Sequence, residues 1–140
     1  MLIIRQQTWD QLISLAREGL PLEVCGYLAE GNGVIEEIFP IKNTDASAVH
    51  YTMDPEDQFR AIRQIRDQGL RLRSAYHSHP NTLARPSAED IRLAYDESLI
   101  YVIISLKNNQ PEVKSFIIRG GAATEEGIQI INGEIRHATF

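Results

Sequence analysis

Residues 99–106, LIYVIISL, are the longest nearly apolar run in the chain. Eight residues fall far short of the ~20 that a bilayer-spanning helix needs, so the run reads as a buried strand. Other strand-like runs accompany it: VCGYLAE, GVIEEIFPI, LRLRSAYH, PEVKSFIIRG and, more weakly marked, GIQIING with EIRHATF. Helix signals fall between them. Thr8 with Gln11 reads as a capping box ahead of Trp9, Leu12, Ile13 and Ala16, and EGLP closes that segment. Asp54 caps a second helix, with Pro55 at its first position and Gly69 as its stop. A third starts at Ser87 behind Pro86 and carries Ile91, Leu93, Ala94 and Tyr95. The order is helix, two strands, helix, strand, helix, then strands to the end. It predicts a mixed sheet with helices packed on it, an α/β or α+β layer fold. KNNQPE reads as a hairpin turn, and KNTDASAVHYT, 42–52, as a long loop.

The chain of 140 residues is expected to form one domain, 1–140, long enough for a proper core. A net charge of −5 argues against nucleic acid or an anionic membrane surface as partner. The local basic run of Arg60, Arg63, Arg66, Arg71 and Arg73 reads as a solvated helix face leading into a strand. The single cysteine, Cys25, forbids an intrachain disulfide and suits a reducing compartment. The N-terminus has too short an apolar stretch for a secretory signal, so a cytoplasmic protein is expected.

Residues 75–90, AYHSHPNTLARPSAED, carry the chemistry. Residues two apart on a strand share a face, so His77 and His79 can aim one nitrogen each at a common point. Pro80 stops the strand there. Asp90 falls in the first turn of the next helix, from where a carboxylate can turn back toward the strand end. Two imidazoles and one carboxylate are the ligand set of a catalytic zinc whose fourth position is open. A plainer reading stays open beside it. Ser87 and Asp90 suit an ordinary capping box, and two histidines can form a polar rim at a strand end. Metal-dependent amidohydrolases also use H-x-H, but on a barrel of about 250 residues.

The pattern His77-x-His79, seven residues, Ser87, two residues, Asp90 resembles the JAMM motif of the MPN+ metalloproteases without a gap. The resemblance spans nearly the whole chain: MDPEDQFRAI is similar to the second helix of small bacterial members, and YVIISL to the strand after the third. Ser74-Ala75 departs from many eukaryotic relatives, which have glycine and a bulky aromatic there. That position touches packing and not ligation. The resemblance implies an α/β/α layered fold with a mixed, curved sheet, cytidine-deaminase-like. It also implies one zinc per chain held by His77, His79 and Asp90. It selects Glu23, in PLEVCGYL, as general base, which the residues alone do not single out among twelve glutamates. Ser87 is implied as a donor to the developing oxyanion, a role compatible with capping.

The activity implied is that of a zinc metallopeptidase. The substrate implied by small bacterial members is a ubiquitin-like sulfur-carrier protein, cut at the peptide or isopeptide bond after its C-terminal Gly-Gly. Its tail is expected to lie extended against a sheet edge near the site, flanked by the 42–52 loop. The alternatives are a non-catalytic MPN-type scaffold, which lacks the ligands present here, and a zinc hydrolase of another amide. Oligomeric state is left open, a homodimer included. Cys25 reads as a small buried thiol, and His50 and His137 as loop and surface residues without ligand partners, which leaves too few donors for a second, structural zinc.

Overall fold

The computed structural model describes residues 1–132. An eight-stranded mixed sheet is ordered β7-β6-β5-β4-β2-β3-β1-β8. In chain order the elements are β1 (Leu2–Arg5), α1 (Gln6–Glu18), β2 (Cys25–Gly31), β3 (Val34–Ile41), α2 (Pro55–Asp67), β4 (Arg71–His79), α3 (Ala88–Arg92), β5 (Ile100–Ser105), β6 (Glu112–Arg119), β7 (Ala122–Glu126) and β8 (Ile128–Ile131). Strand β4 runs antiparallel to β2 and parallel to β5, so the LIYVIISL run is an inner strand, buried at every residue of β5. Bulges at Leu28/Ala29 and Ala29/Glu30 bend β2 against both neighbours, which curves the sheet.

Two cores form, one on each face. Helix α1 covers the first with Leu12 and Ala16, against Leu2, Ile4, Leu28, Tyr76, Val102 and Ile104. On the other face α2 contributes Ala61 and Ile65, packed among Tyr27, Phe39, Ala75, Tyr101 and Ile103. This is the expected α/β/α layering. No helix among the described residues is long and apolar enough to cross a membrane.

Several expectations are corrected. Helix α1 begins at Gln6 with Arg5 as cap and no side-chain capping bond, so Thr8 is no cap. Strand β1, which has no turn residue after it, runs straight into the helix, and Thr8 lies buried on the face it shares with Leu12 and Ala16. Strands β1 and β7 add to the predicted set. Helix α3 ends at Arg92, before Leu93, Ala94 and Tyr95. There Asp96 turns the chain: its side chain accepts from the Ser98 N–H and hydroxyl, and its carbonyl accepts from the Tyr101 hydroxyl. The EIRHATF run and His137 lie outside the described residues. The Asp54 cap accepts from the Asp57 N–H at 3.0 Å, and Gly69 has φ +70° just past α2, both as expected.

Gly26 is required by a close approach. It faces Tyr76 across the ladder, and a Cβ built there would lie 2.4 Å from the Phe39 carbonyl oxygen and 2.6 Å from the Tyr76 ring. Both neighbours are fixed in the sheet. Gly26→Ala should therefore destabilise the fold by about 3 kcal/mol or more through overpacking. Thermal unfolding by circular dichroism checks this; an unchanged midpoint would show that the strand can shift aside.

Candidate metal centre

Strand β4 ends with His77 and His79 on the face that carries α2 and α3, 2% and 4% exposed. Parallel pairing with β5 continues to His79, opposite Ser105. The chain beyond is tied down by the Leu106 N–H donating to the His79 carbonyl and the Ser105 hydroxyl donating to Thr82. Helix α3 then returns Asp90 to the strand end. His77 Nε2 and His79 Nε2 lie 3.0 Å apart, and each is 3.1 Å from Asp90 Oδ2. His79 Nδ1 faces the Leu83 carbonyl at 2.8 Å, which assigns its proton to Nδ1 and leaves the Nε2 lone pair for the common point.

This triangle fits a metal. Tetrahedral zinc ligands at 2.0–2.2 Å lie about 3.3 Å from one another, close to the separations seen. Two nearly buried imidazoles converging on one carboxylate oxygen also need a cation or protons between them. His77, His79 and Asp90 are the only group among the described residues that brings three such donors together. The electrostatics agree. Burial raises the Asp90 pKa, but hydrogen bonding to His77 and His79 overrides it and holds the carboxyl well below its usual range. Burial lowers the His77 pKa, whereas at His79 the same effect is outweighed by Asp90 and the Leu83 carbonyl, so its pKa is raised.

Both readings of Ser87 and Asp90 prove compatible. Ser87 Oγ accepts from the Asp90 N–H at 3.0 Å, and Asp90 Oδ2 accepts from the Ser87 N–H at 2.9 Å. The capping box is formed with the very oxygen that faces the histidines. It fixes the carboxylate and leaves the exposed Ser87 hydroxyl proton available to donate.

Glu23 enters through the sheet register. Cys25 pairs with His77, so Glu23, two residues back, lies opposite His79 as the antiparallel ladder is extended. Ser78, between the two histidines, makes that extension: its hydroxyl accepts from the Val24 N–H at 2.8 Å and its own N–H donates to the Val24 carbonyl. The 42–52 loop holds the other side, through Glu23 N–H to Ser47 O and Asn43 Nδ2 to Glu23 O. Glu23 is 4% exposed, and its Oε1 is buried without a hydrogen-bond partner among the described residues. Burial raises its pKa from 4.5 to about 7, the range of a poised acid–base group.

The remaining candidates have plain structural roles. Cys25 is buried, donates to the Ile41 carbonyl at 3.3 Å, and is pushed up to about 12 by burial, so it is an inert thiol. His50 pairs with Asp45 at 2.9 Å in the loop. Three contributors were not legible beforehand: Ser78, the Leu83 carbonyl and Tyr51, whose ring stacks on His77. Only Ser78 carried a signal, its place between the histidines. The expected sheet edge beside the site is corrected, since β4 is paired on both sides and the edges of the described sheet are β7 and β8. In its place a groove of about 560 Å³ runs from Asp90 between α2 and the 93–99 segment, floored by Tyr27, Leu72, Ala75 and Tyr101.

Residues 5–119 match the family described as prokaryotic homologs of the JAB domain. The chain is 33% identical over 134 residues to the CysO-cysteine peptidase of Mycobacterium tuberculosis, covering 94% of this chain and 92% of that one. It is 35% identical over 103 residues to a desampylase of Haloferax volcanii, covering 69% and 74%. A solution structure of a Desulfitobacterium hafniense protein superposes with a TM-score of 0.88 at 38% identity, covering 98% and 97%. Fold, buried His-His-Asp cluster and relatives together define a hydrolase of the JAMM class. The chain belongs to the prokaryotic JAB-domain family.

Proposed function

We propose that this protein is a zinc-dependent peptidase or isopeptidase that cuts the bond after the C-terminal Gly-Gly of a ubiquitin-like sulfur-carrier protein in the cytoplasm. The observation that carries the chemistry is the buried triangle of His77 Nε2, His79 Nε2 and Asp90 Oδ2, beside a carboxyl, Glu23, with a near-neutral pKa. The substrate class rests on the similarity to the CysO-cysteine peptidase and the desampylase. In this reading His77, His79 and Asp90 hold one zinc ion. When bound, zinc supplies Lewis acidity at the scissile carbonyl and brings the pKa of water down to about 7.

The chain's own residues do the rest. Glu23 takes a proton from the attacking water as the new C–O bond forms. The Ser87 hydroxyl donates to the carbonyl oxygen as negative charge gathers there. The C–N bond then breaks, and Glu23 returns its proton to the leaving amine. The groove that starts at Asp90 gives an extended tail a largely apolar bed.

Ser87 separates the two readings of its position. As a cap alone, Ser87→Asn should retain the helix and the rate, because asparagine caps about as well as serine. As an oxyanion donor it should keep its metal and stability but lose roughly a hundredfold in rate. Single-turnover assays on metal-loaded variants decide between them.

The substrate class is tested with carrier proteins extended by a few residues past Gly-Gly, or by a lysine-linked peptide. Cleavage after the second glycine is expected, and cleavage should be lost when Gly-Gly is changed to Val-Val. Equal cleavage of both would remove the Gly-Gly requirement. Binding of the carrier without cleavage by the zinc-loaded protein would favour a scaffold.

A further inference from the structure

The two histidines of the cluster are supported unequally. His79 has its second nitrogen fixed by the Leu83 carbonyl at 2.8 Å. His77 is the more deeply buried of the pair, yet its Nδ1 has no hydrogen-bond partner among the described residues. Metal-ligating imidazoles ordinarily donate that nitrogen to an oxygen, which sets the tautomer and the ring orientation. Something else has to hold the His77 ring. Tyr51 lies against it with ring centroids 4.6 Å apart and planes at 28°, a stacked arrangement.

Tyr51 is itself held in place. It sits between His50 and Thr52, and Asp45 Oδ2 contacts both, at 2.9 Å to His50 Nδ1 and 2.7 Å to the Thr52 hydroxyl. Asn43 closes the loop from inside: its Oδ1 accepts from the Asp45 and Thr52 N–H groups, and its Nδ2 donates to the His50 carbonyl. The same Nδ2 donates to the carbonyl of Glu23. One loop therefore ties the backbone of Glu23 and the ring against His77 into a single unit.

We propose that Tyr51 is a positioning residue for the metal centre: its stacked ring replaces the hydrogen bond that His77 Nδ1 lacks and keeps His77 Nε2 aimed at the point shared with His79 and Asp90. The role belongs to the ring and not to the hydroxyl. This rests on the reading of the cluster as a metal site. It also gives the 42–52 loop a structural reason to be built around Asn43 and Asp45.

The test uses the full chain as wild type, Tyr51→Phe and Tyr51→Leu. Zinc affinity is measured by competition with a chromogenic chelator, and the ligand field by the visible spectrum of the cobalt(II)-substituted protein. Metal-free unfolding midpoints are recorded so that affinity is compared between folded proteins. Tyr51→Leu should bind zinc about 10- to 100-fold more weakly, the usual loss when a ligand's orienting partner is removed, with a changed cobalt spectrum. Tyr51→Phe should match wild type in both. Asp45→Ala, which leaves the ring in the chain but loosens its loop, should weaken zinc binding to a smaller extent and serves if Tyr51→Leu does not fold. Wild-type affinity and spectrum in Tyr51→Leu would overturn the proposal, as would a Tyr51→Phe protein as weak as Tyr51→Leu. A wild type that binds no zinc in the same titration would overturn the reading of the cluster instead.

Discussion

Purified wild-type protein is expected to hold one zinc per chain, and His77→Ala or His79→Ala should lose nearly all of it. Three protein ligands are the fewest that a catalytic zinc commonly keeps, so removing one imidazole leaves two donors and a buried gap. The loss should be steep for both variants, since the two nitrogens stand at equal distances from Asp90 Oδ2. Hydrolysis should vanish with the metal. A polar rim at a strand end would behave differently, with both variants costing some stability and no metal to lose. Metal analysis of the three proteins, purified identically and dialysed against metal-free buffer, distinguishes these cases. Full retention of zinc in either variant would remove that histidine from the site.

The second large effect falls on Glu23. Glu23→Gln keeps the shape and takes away the proton acceptor, so hydrolysis should drop by at least about a hundredfold while zinc stays bound. Loss of zinc would make Glu23 a ligand, and ordinary activity would exclude it as base. A pH effect accompanies this in the metal-free protein. The folded-state pKa of about 7 lies above the ordinary 4.5, so the folded form binds its proton more tightly than the unfolded form does. The stability this contributes is complete below pH 4.5 and is lost as pH rises through about 7. The unfolding midpoint of metal-free wild type should fall over that window relative to Glu23→Gln. Parallel midpoint curves for the two proteins would show that the Glu23 carboxyl is solvated.

What was legible in the sequence follows from how local its cause is. The period-2 placement of His77 and His79, the proline after them and the capping box at Ser87 are all encoded within sixteen residues, and the structure assembles them as read. LIYVIISL announced a buried strand because an inner strand has both faces covered. Strand β1 was hidden because only four residues pair, and they pass into α1 without a break. Strand β7, AATEE, is largely exposed and carries no alternation to detect. The apolar pattern overstates the length of α3 because apolar residues continue past Arg92, whereas the helix is already capped at Leu93.

The supporting residues were illegible for another reason. Ser78 reaches Val24 across the β2–β4 ladder, and Tyr51 reaches His77 from a loop 26 positions earlier in the chain. Neither relation has a spacing rule, because each depends on the register of the sheet and the path of a loop. Glu23 is intermediate. No pattern distinguished it from the other glutamates, and only resemblance pointed to it. Once the Cys25–His77 register is seen, its place opposite His79 follows from the strand geometry.

Metal-dependent hydrolysis after Gly-Gly is read out by the intact mass of an extended sulfur-carrier protein after incubation with this chain. The zinc-loaded protein should remove the extension and leave a carrier ending in Gly-Gly. Prior chelation should leave the extension in place, and added zinc should restore its removal. An extension untouched by zinc-loaded protein would exclude cleavage after Gly-Gly, and one removed at the same rate after complete chelation would exclude metal-dependent hydrolysis.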